Sequence, residues 1–243
     1  MARKLLIASG FCWLLLATAG MAKADTMETF NLDQSASWTA PNPPGYFGTV
    51  TLNQVSNGSG GYNVDVKVQL YVGSDPSKPD FEFLNTAPQN TNSHESFTFY
   101  SSPQITSSQI TNVTSTSIPG ASGATWSFDS GSPTQAGYGT FNFYLNCTSC
   151  GPGASNYPNN PYELGFTVLD ATLGTFTANS NGYYFAADVY DNFTGATGNV
   201  ASNTLVPVVP EPPSLLLLVT GLILLAATLK TRQLAAGKSK RIA

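Results

Sequence analysis

The tightest pairing of reactive side chains in this chain is Cys147-Thr148-Ser149-Cys150. Two cysteines at this spacing either close a small disulfide ring or serve as a redox dithiol. The redox reading needs the first cysteine at a helix N-terminus inside a βαβ unit. The following Gly151-Pro152-Gly153 argues against such a helix, so a local disulfide pinching a loop is the expectation. Zinc needs further Cys or His ligands, and the remaining ones are His94 and Cys12 near the N-terminus. Any histidine-based triad has to use His94, which lies in the polar stretch 89–95, and no G-x-S-x-G stands anywhere in the chain. A solvated loop histidine is the plainer reading.

Oxygen ligands cluster in Asp188-Val189-Tyr190-Asp191-Asn192, followed by Thr194 and Gly195. Asp188 and Asp191, with Asp170 joining them, are a tentative calcium site of the kind found in extracellular loops, although the spacing is not that of an EF-hand. Solvated turn residues are the alternative. Glu82, Glu95, Glu163 and Asp188 are carboxylates that paired glycosidase chemistry would use, but their separation is not a sequence property.

The elements that must position these residues read as strands. In 62–72 the apolar residues Tyr62, Val64, Val66, Val68, Leu70 and Val72 alternate with polar ones as far as Gln69, the period of a half-buried strand. Asn57-Gly58-Ser59-Gly60-Gly61 is a turn, and with 46–55 it predicts a hairpin. Weaker strands are expected at 81–84, 96–100, 110–118, 124–128, 139–145, 163–169 and 183–190, with 27–32 as a first edge strand and 201–209 as a linker. Convincing helical periodicity is missing between 25 and 206. Fold class is therefore all-β, an antiparallel β-sandwich or jelly roll. The alternating aromatics Trp126 and Phe128, Phe141 and Phe143, Tyr183 and Phe185 read as core or cross-strand pairs rather than a ligand platform.

Charge excludes one class of function. Between residues 25 and 206 stand thirteen acids and two bases, Lys67 and Lys78, a net charge of −11. Phosphate contacts need Lys and Arg, so no nucleic-acid partner is expected. Charged residues make up 10% of the chain, leaving Ser, Thr, Asn and Gly to cover the surface.

Both ends carry apolar runs. Arg3 and Lys4 precede an apolar stretch and then Ala22-Lys23-Ala24, a signal peptide over 1–24 with cleavage before Asp25. At the other end, 215–229 is uncharged and follows Val209-Pro210-Glu211-Pro212-Pro213-Ser214. As a helix it is about 22 Å long, short for a bilayer core of about 30 Å. Lys230 and Arg232 begin a basic end that the positive-inside rule places in the cytoplasm. The order of Val209, Pro210, Glu211, Pro212, a short apolar helix with Gly221, then Lys230 and Arg232 resembles the PEP-CTERM sorting signal of Gram-negative bacteria. The resemblance covers about residues 208–232. It departs in its tail, which runs on to Ala243 with basic residues spread out.

The resemblance implies a membrane transpeptidase-like partner, the exosortase, which recognises the signal. It also implies an exported protein, transiently held in the inner membrane and then at the cell surface or secreted. Such cargo is associated with extracellular polysaccharide. The expected layout is a signal peptide (1–24), an extracytoplasmic β domain (25–206) and a sorting signal with its membrane helix (207–243). A non-enzymatic structural or adhesive protein is the first reading. A calcium-assisted carbohydrate-binding module, using aromatics such as Trp38, Tyr46, Trp126, Tyr157 or Tyr162, is the second, and a secreted hydrolase is the third.

Overall fold

The computed structural model describes residues 26–36, 45–73, 79–85, 94–117, 123–151, 160–203 and 205–206. In chain order its strands are β1 (Thr26–Leu32), β2 (Gln34–Ala36), β3 (Gly48–Ser56), β4 (Tyr62–Leu70), β5 (Phe81–Phe83), β6 (Phe97–Phe99), β7 (Ile110–Ser117), β8 (Trp126–Ser130), β9 (Thr134–Gln135), β10 (Gly139–Thr140), β11 (Phe143–Cys147), β12 (Pro161–Val168), β13 (Phe185–Asp191), β14 (Thr197–Ser202) and β15 (Leu205–Val206). Two single-turn 3-10 helices, Ser107–Gln109 and Leu173–Thr175, complete the described elements.

The strands form two antiparallel sheets and one small ribbon. One sheet runs β15-β1-β3-β4-β12-β7, the other β2-β14-β13-β6-β11-β8 with β5 also on β13, and β9 pairs β10. β5 and β6 lie end to end along one side of β13: Leu84 donates its N–H to the Asp188 carbonyl at 3.0 Å, and the Asp188 N–H donates to Ser96 at 3.2 Å.

The predicted hairpin forms, with β3 and β4 in register from Gly48↔Leu70 to Ser56↔Tyr62. Asn57 organises its turn by accepting the N–H groups of Ser59 at 2.9 Å and Gly61 at 3.0 Å on one side-chain oxygen. Gly58 and Gly60 supply the left-handed residues at φ 75° and 89°.

Alternation decides which face is buried. Val64, Val66, Val68 and Leu70 of β4 point into the core, as do Phe97 and Phe99 of β6 and Phe185, Ala187 and Val189 of β13. The two sheets meet there through phenylalanines. Phe166 of the first sheet stacks on Phe99 of the second at 6.0 Å between ring centroids, and Phe30 meets Phe185 edge to face at 5.0 Å. A β-sandwich-like arrangement is the result.

One corner joins the sheets. β1 runs into β2 and β14 into β15, each pair crossing from one sheet to the other, and they cross side by side: Asn199↔Ala36 to Ala201↔Gln34, then Phe30↔Leu205 and Thr29↔Val206. Asp33 at the crossing donates its N–H to the Ala201 carbonyl at 3.2 Å. The 201–209 linker reading is corrected here, since Ala201 and Ser202 are fully or nearly fully buried in β14 and 205–206 pair with β1. For the same reason β1 is not a simple edge, because β15 covers its middle.

The predicted 139–145 strand divides into β10 and β11. Asn142 breaks it by turning its amide onto Ser101, donating to the carbonyl at 2.7 Å and accepting the N–H at 2.9 Å. The bend sends Phe141 to the outer side of the second sheet, with Tyr138, Ala186 and Ala201, while Phe143 stays in the main core.

Phe99 touches Phe143, Phe166 and Phe176 with centroid separations of 5.0, 6.0 and 5.5 Å, so it ties both sheets together. Phe99→Ala is expected to cost about 3–5 kcal/mol in urea denaturation. A loss below about 1 kcal/mol would show that these contacts do not hold the sheets together.

Candidate functional site

Cys147 and Cys150 form a disulfide with Cα atoms 5.3 Å apart. Cys147 ends β11 and is buried, and the turn beyond it is pinned to the neighbouring segment by Thr148 N–H to Thr125 O at 2.8 Å. The first cysteine thus sits in a strand, where no helix dipole lowers a thiol pKa. Asn85 reaches over from the end of β5 and donates to the Cys147 carbonyl at 2.9 Å. The disulfide turn and the end of β5 are therefore linked.

Asp170, Asp188 and Asp191 do not share a site. Asp170 lies beside the Asn57 turn, where it accepts Asn57 Nδ2 at 3.2 Å. Asp191 lies at the opposite end of the sheets, beside Phe81 in register. Its carboxylate is already engaged, accepting Phe193 N–H at 2.7 Å, Thr194 N–H at 3.2 Å and the Thr194 hydroxyl at 2.7 Å. Asp188 points to the outer face of the second sheet. Among the described residues no three His, Cys, Asp or Glu stand together as a metal would need. The clustering in sequence arises because a strand end and its turn are both rich in oxygen, while strand alternation sends Asp188 and Asp191 to opposite faces.

The outer face of the second sheet carries a buried polar cluster instead. Asn199 is fully buried at its centre. With its amide nitrogen turned toward the acceptors it donates to Asp188 Oδ1 at 3.3 Å and His94 Nδ1 at 3.2 Å, and its oxygen accepts Ala136 N–H at 2.9 Å. His94 is half-buried rather than freely solvated and holds a left-handed backbone at φ 70°. Gln135 donates to the Glu95 carbonyl at 2.7 Å. Burial pushes the Glu95 carboxyl up and a hydrogen bond with Asn146 pulls it back, while its Oε2 has no partner. Glu163 belongs to the other sheet, in an exposed ion pair with Lys67 at 2.8 Å. It cannot work with Glu82, Glu95 or Asp188.

The end of the sheets opposite the Asn57 turn shows a different chemistry. Tyr46 and Tyr71 are 41% and 47% exposed and meet in a T-shaped contact at 5.9 Å. Tyr71 is fixed by its N–H to the Phe47 carbonyl at 2.8 Å, and its carbonyl accepts Phe81 N–H at 3.2 Å. The Asp80 carboxylate lies over Gly73, so close that a Cβ there would stand 2.6 Å from Oδ1. Asn192 joins the group, with its N–H to Asp80 O at 2.9 Å and its Nδ2 to Pro79 O at 2.8 Å. Phe193 follows at the hairpin tip, 83% exposed on a turn that Asp191 holds in place.

Sequence reading named Tyr46 and, within the oxygen-ligand cluster, Asn192, and missed Tyr71, Asp80 and Phe193. The signals were present. Tyr71 occupies the wet phase of the 62–72 alternation, after Asn63, Asp65, Lys67 and Gln69, and Phe193 is a large apolar residue inside a turn sequence. Trp126 and Tyr162 lean on the core instead. Trp38 and Tyr157 fall outside the described residues, as do Ala22, Ala24, Asp25 and the segment from Val209 to Arg232. Among the described residues no helix is long and apolar enough to cross a membrane, and 215–229 is not among them. No protein family, curated protein or solved structure matches this chain.

Glu82 lies beneath this end, paired with Tyr190 and 7% exposed. Burial pushes its carboxyl up to about 7, against a smaller lowering by a hydrogen bond with Asn192. A folded pKa above the unfolded value of about 4.3 gives a stability contribution that is full below pH 4.3 and lost as pH rises to about 7. Wild-type stability should therefore fall between about pH 4.3 and 7, by on the order of 1–3 kcal/mol from this group. Glu82→Gln is expected to flatten most of that fall and to raise the melting temperature at pH 8, leaving the smaller part from Glu95. An equally steep fall in the variant would show that Glu82 is not the responsible group.

Proposed function

We propose that this protein is an exported, surface-sorted, non-enzymatic component of the cell-surface or extracellular polysaccharide matrix, with a structural or adhesive role. The observation that carries the reading is the Cys147–Cys150 disulfide. Disulfides persist in oxidising compartments and are rare in the cytosol, which agrees with the signal peptide expected over 1–24. Among the described residues eleven Asp and Glu face one Lys, with no Arg, and the wet face of the first sheet is a polar lattice. Thr167 donates to Asp65 at 2.7 Å and Thr116 to Glu163 at 3.4 Å across neighbouring strands. Such a surface suits a hydrated, uncharged polymer better than nucleic acid or an anionic membrane. The PEP-CTERM-like tail supplies the route, with an exosortase-type transpeptidase as processing partner.

Intact mass and cell fractionation in a host that carries an exosortase test the proposal. The expected product begins at Asp25, ends near Glu211, lies outside the inner membrane, and has both remaining cysteines resistant to alkylation until reduced. A product that keeps Ala243 in the inner membrane would overturn the sorting.

A further inference from the structure

We infer that the end of the sheets formed by Tyr46, Tyr71, Asp80, Asn192 and Phe193 is a binding site for uncharged polysaccharide. The inference rests on the extracytoplasmic reading above and names the ligand class and the surface that takes it.

Three features point to this ligand. The first is aromatic. A monomeric surface scatters single apolar residues, but here two tyrosines about half exposed stand in contact and a phenylalanine 83% exposed occupies the adjoining tip. In their T-shaped contact the edge of one ring meets the face of the other, and both residues keep over two-fifths of their surface exposed. A free ring face stacks on the C–H face of a pyranose, burying apolar area without demanding charge.

The second feature is the company these rings keep. Asp80 is only partly buried and Asn192 is exposed, and the two segments are tied together by two hydrogen bonds of 2.9 and 2.8 Å. A carboxylate and an amide beside an aromatic face are the acceptors and donors that sugar hydroxyls use. The third is charge. Asp80 and Asp191 stand at this end, and over residues 25–206 thirteen acids outweigh the two bases, Lys67 and Lys78. An anionic polymer would meet like charge here, so the occupant is a neutral one.

The site is also held ready. Asp191 closes the hairpin tip with three hydrogen bonds, and Tyr71 is locked between Phe47 and Phe81 by main-chain bonds. Little ordering is left to be done on binding, which favours affinity. The chain leaves the last described strand at Val206, level with Thr29 and Thr51 and running toward the Asn57 turn, away from this end.

Affinity electrophoresis of the exported protein, recovered from producing cells, tests the inference. Gels are cast with hydroxyethyl cellulose, xyloglucan, glucomannan or dextran, and with polygalacturonate as an anionic contrast. At least one neutral polymer should retard the protein. Tyr46→Ala combined with Tyr71→Ala should weaken that retention about tenfold or more. Phe193→Ala, at a tip residue the fold does not depend on, should weaken it measurably, while Tyr71→Phe and Met27→Ala should leave it unchanged. Retardation by no neutral polymer, undiminished retardation of the double and Phe193 variants, or a preference for polygalacturonate would each overturn the site. A correctly sorted protein that binds none of these polymers sinks this inference alone. A protein that binds them yet stays in the inner membrane sinks the sorting alone.

Discussion

The rest of this structure depends on one contact zone, where phenylalanines of two sheets meet. Phe97, Phe99, Phe143 and Phe185 come from one sheet, Phe30 and Phe166 from the other, and all are buried. Aromatic pairs at these distances contribute about 0.5–1.5 kcal/mol each beyond the area they bury. Their more important effect is on register. Slipping any of these strands by one residue would turn its ring to the far side, so the core fixes which residues of each strand face outward. Tyr71 and Asp188 owe their positions to that constraint.

The two outer faces resolve the same problem differently. The first sheet leaves its face wet, covered by Thr, Asn, Asp and the Lys67–Glu163 ion pair. The second has its face roofed by β9, β10 and the residues around His94 and Glu95, so polar groups that strand alternation turned outward end up buried. Asn199 ties one of them, Asp188, to His94 and to the Ala136 N–H of the roof. The hydrogen bonds of Asn199 favour a single arrangement of this cluster, and the carboxyl of Glu95, shifted upward by burial, shows what the roof costs.

What was legible in the sequence follows from these local rules. The period-two pattern of 62–72 and its glycine-rich turn identified a hairpin that the fold contains, β3 at Gly48–Ser56 with β4 at Tyr62–Leu70, because both signals are local. The disulfide was legible for the same reason. Strand β14 was not, since Gly198, Asn199 and Ala201 have little strand preference and are held by burial between β13 and β2. The acidic trio failed because neighbours in sequence need not share a face, and Asp170 joined it only by composition. The group at Tyr46 and Tyr71 is assembled from three separate stretches of chain. Its members stood out only as residues in the wrong phase, an aromatic at a wet position and another in a turn.

The doubled crossing of β1–β2 and β14–β15 has a mechanical meaning. The chain exits at Val206 along the strand direction, with the preceding residues paired to β1 and β2. A pull on whatever follows Val206, resisted at the Tyr46 and Tyr71 end, runs parallel to the strands. Hydrogen bonds loaded in that direction are sheared together rather than peeled one after another. Tension applied along the strands is thereby shared among many bonds at once.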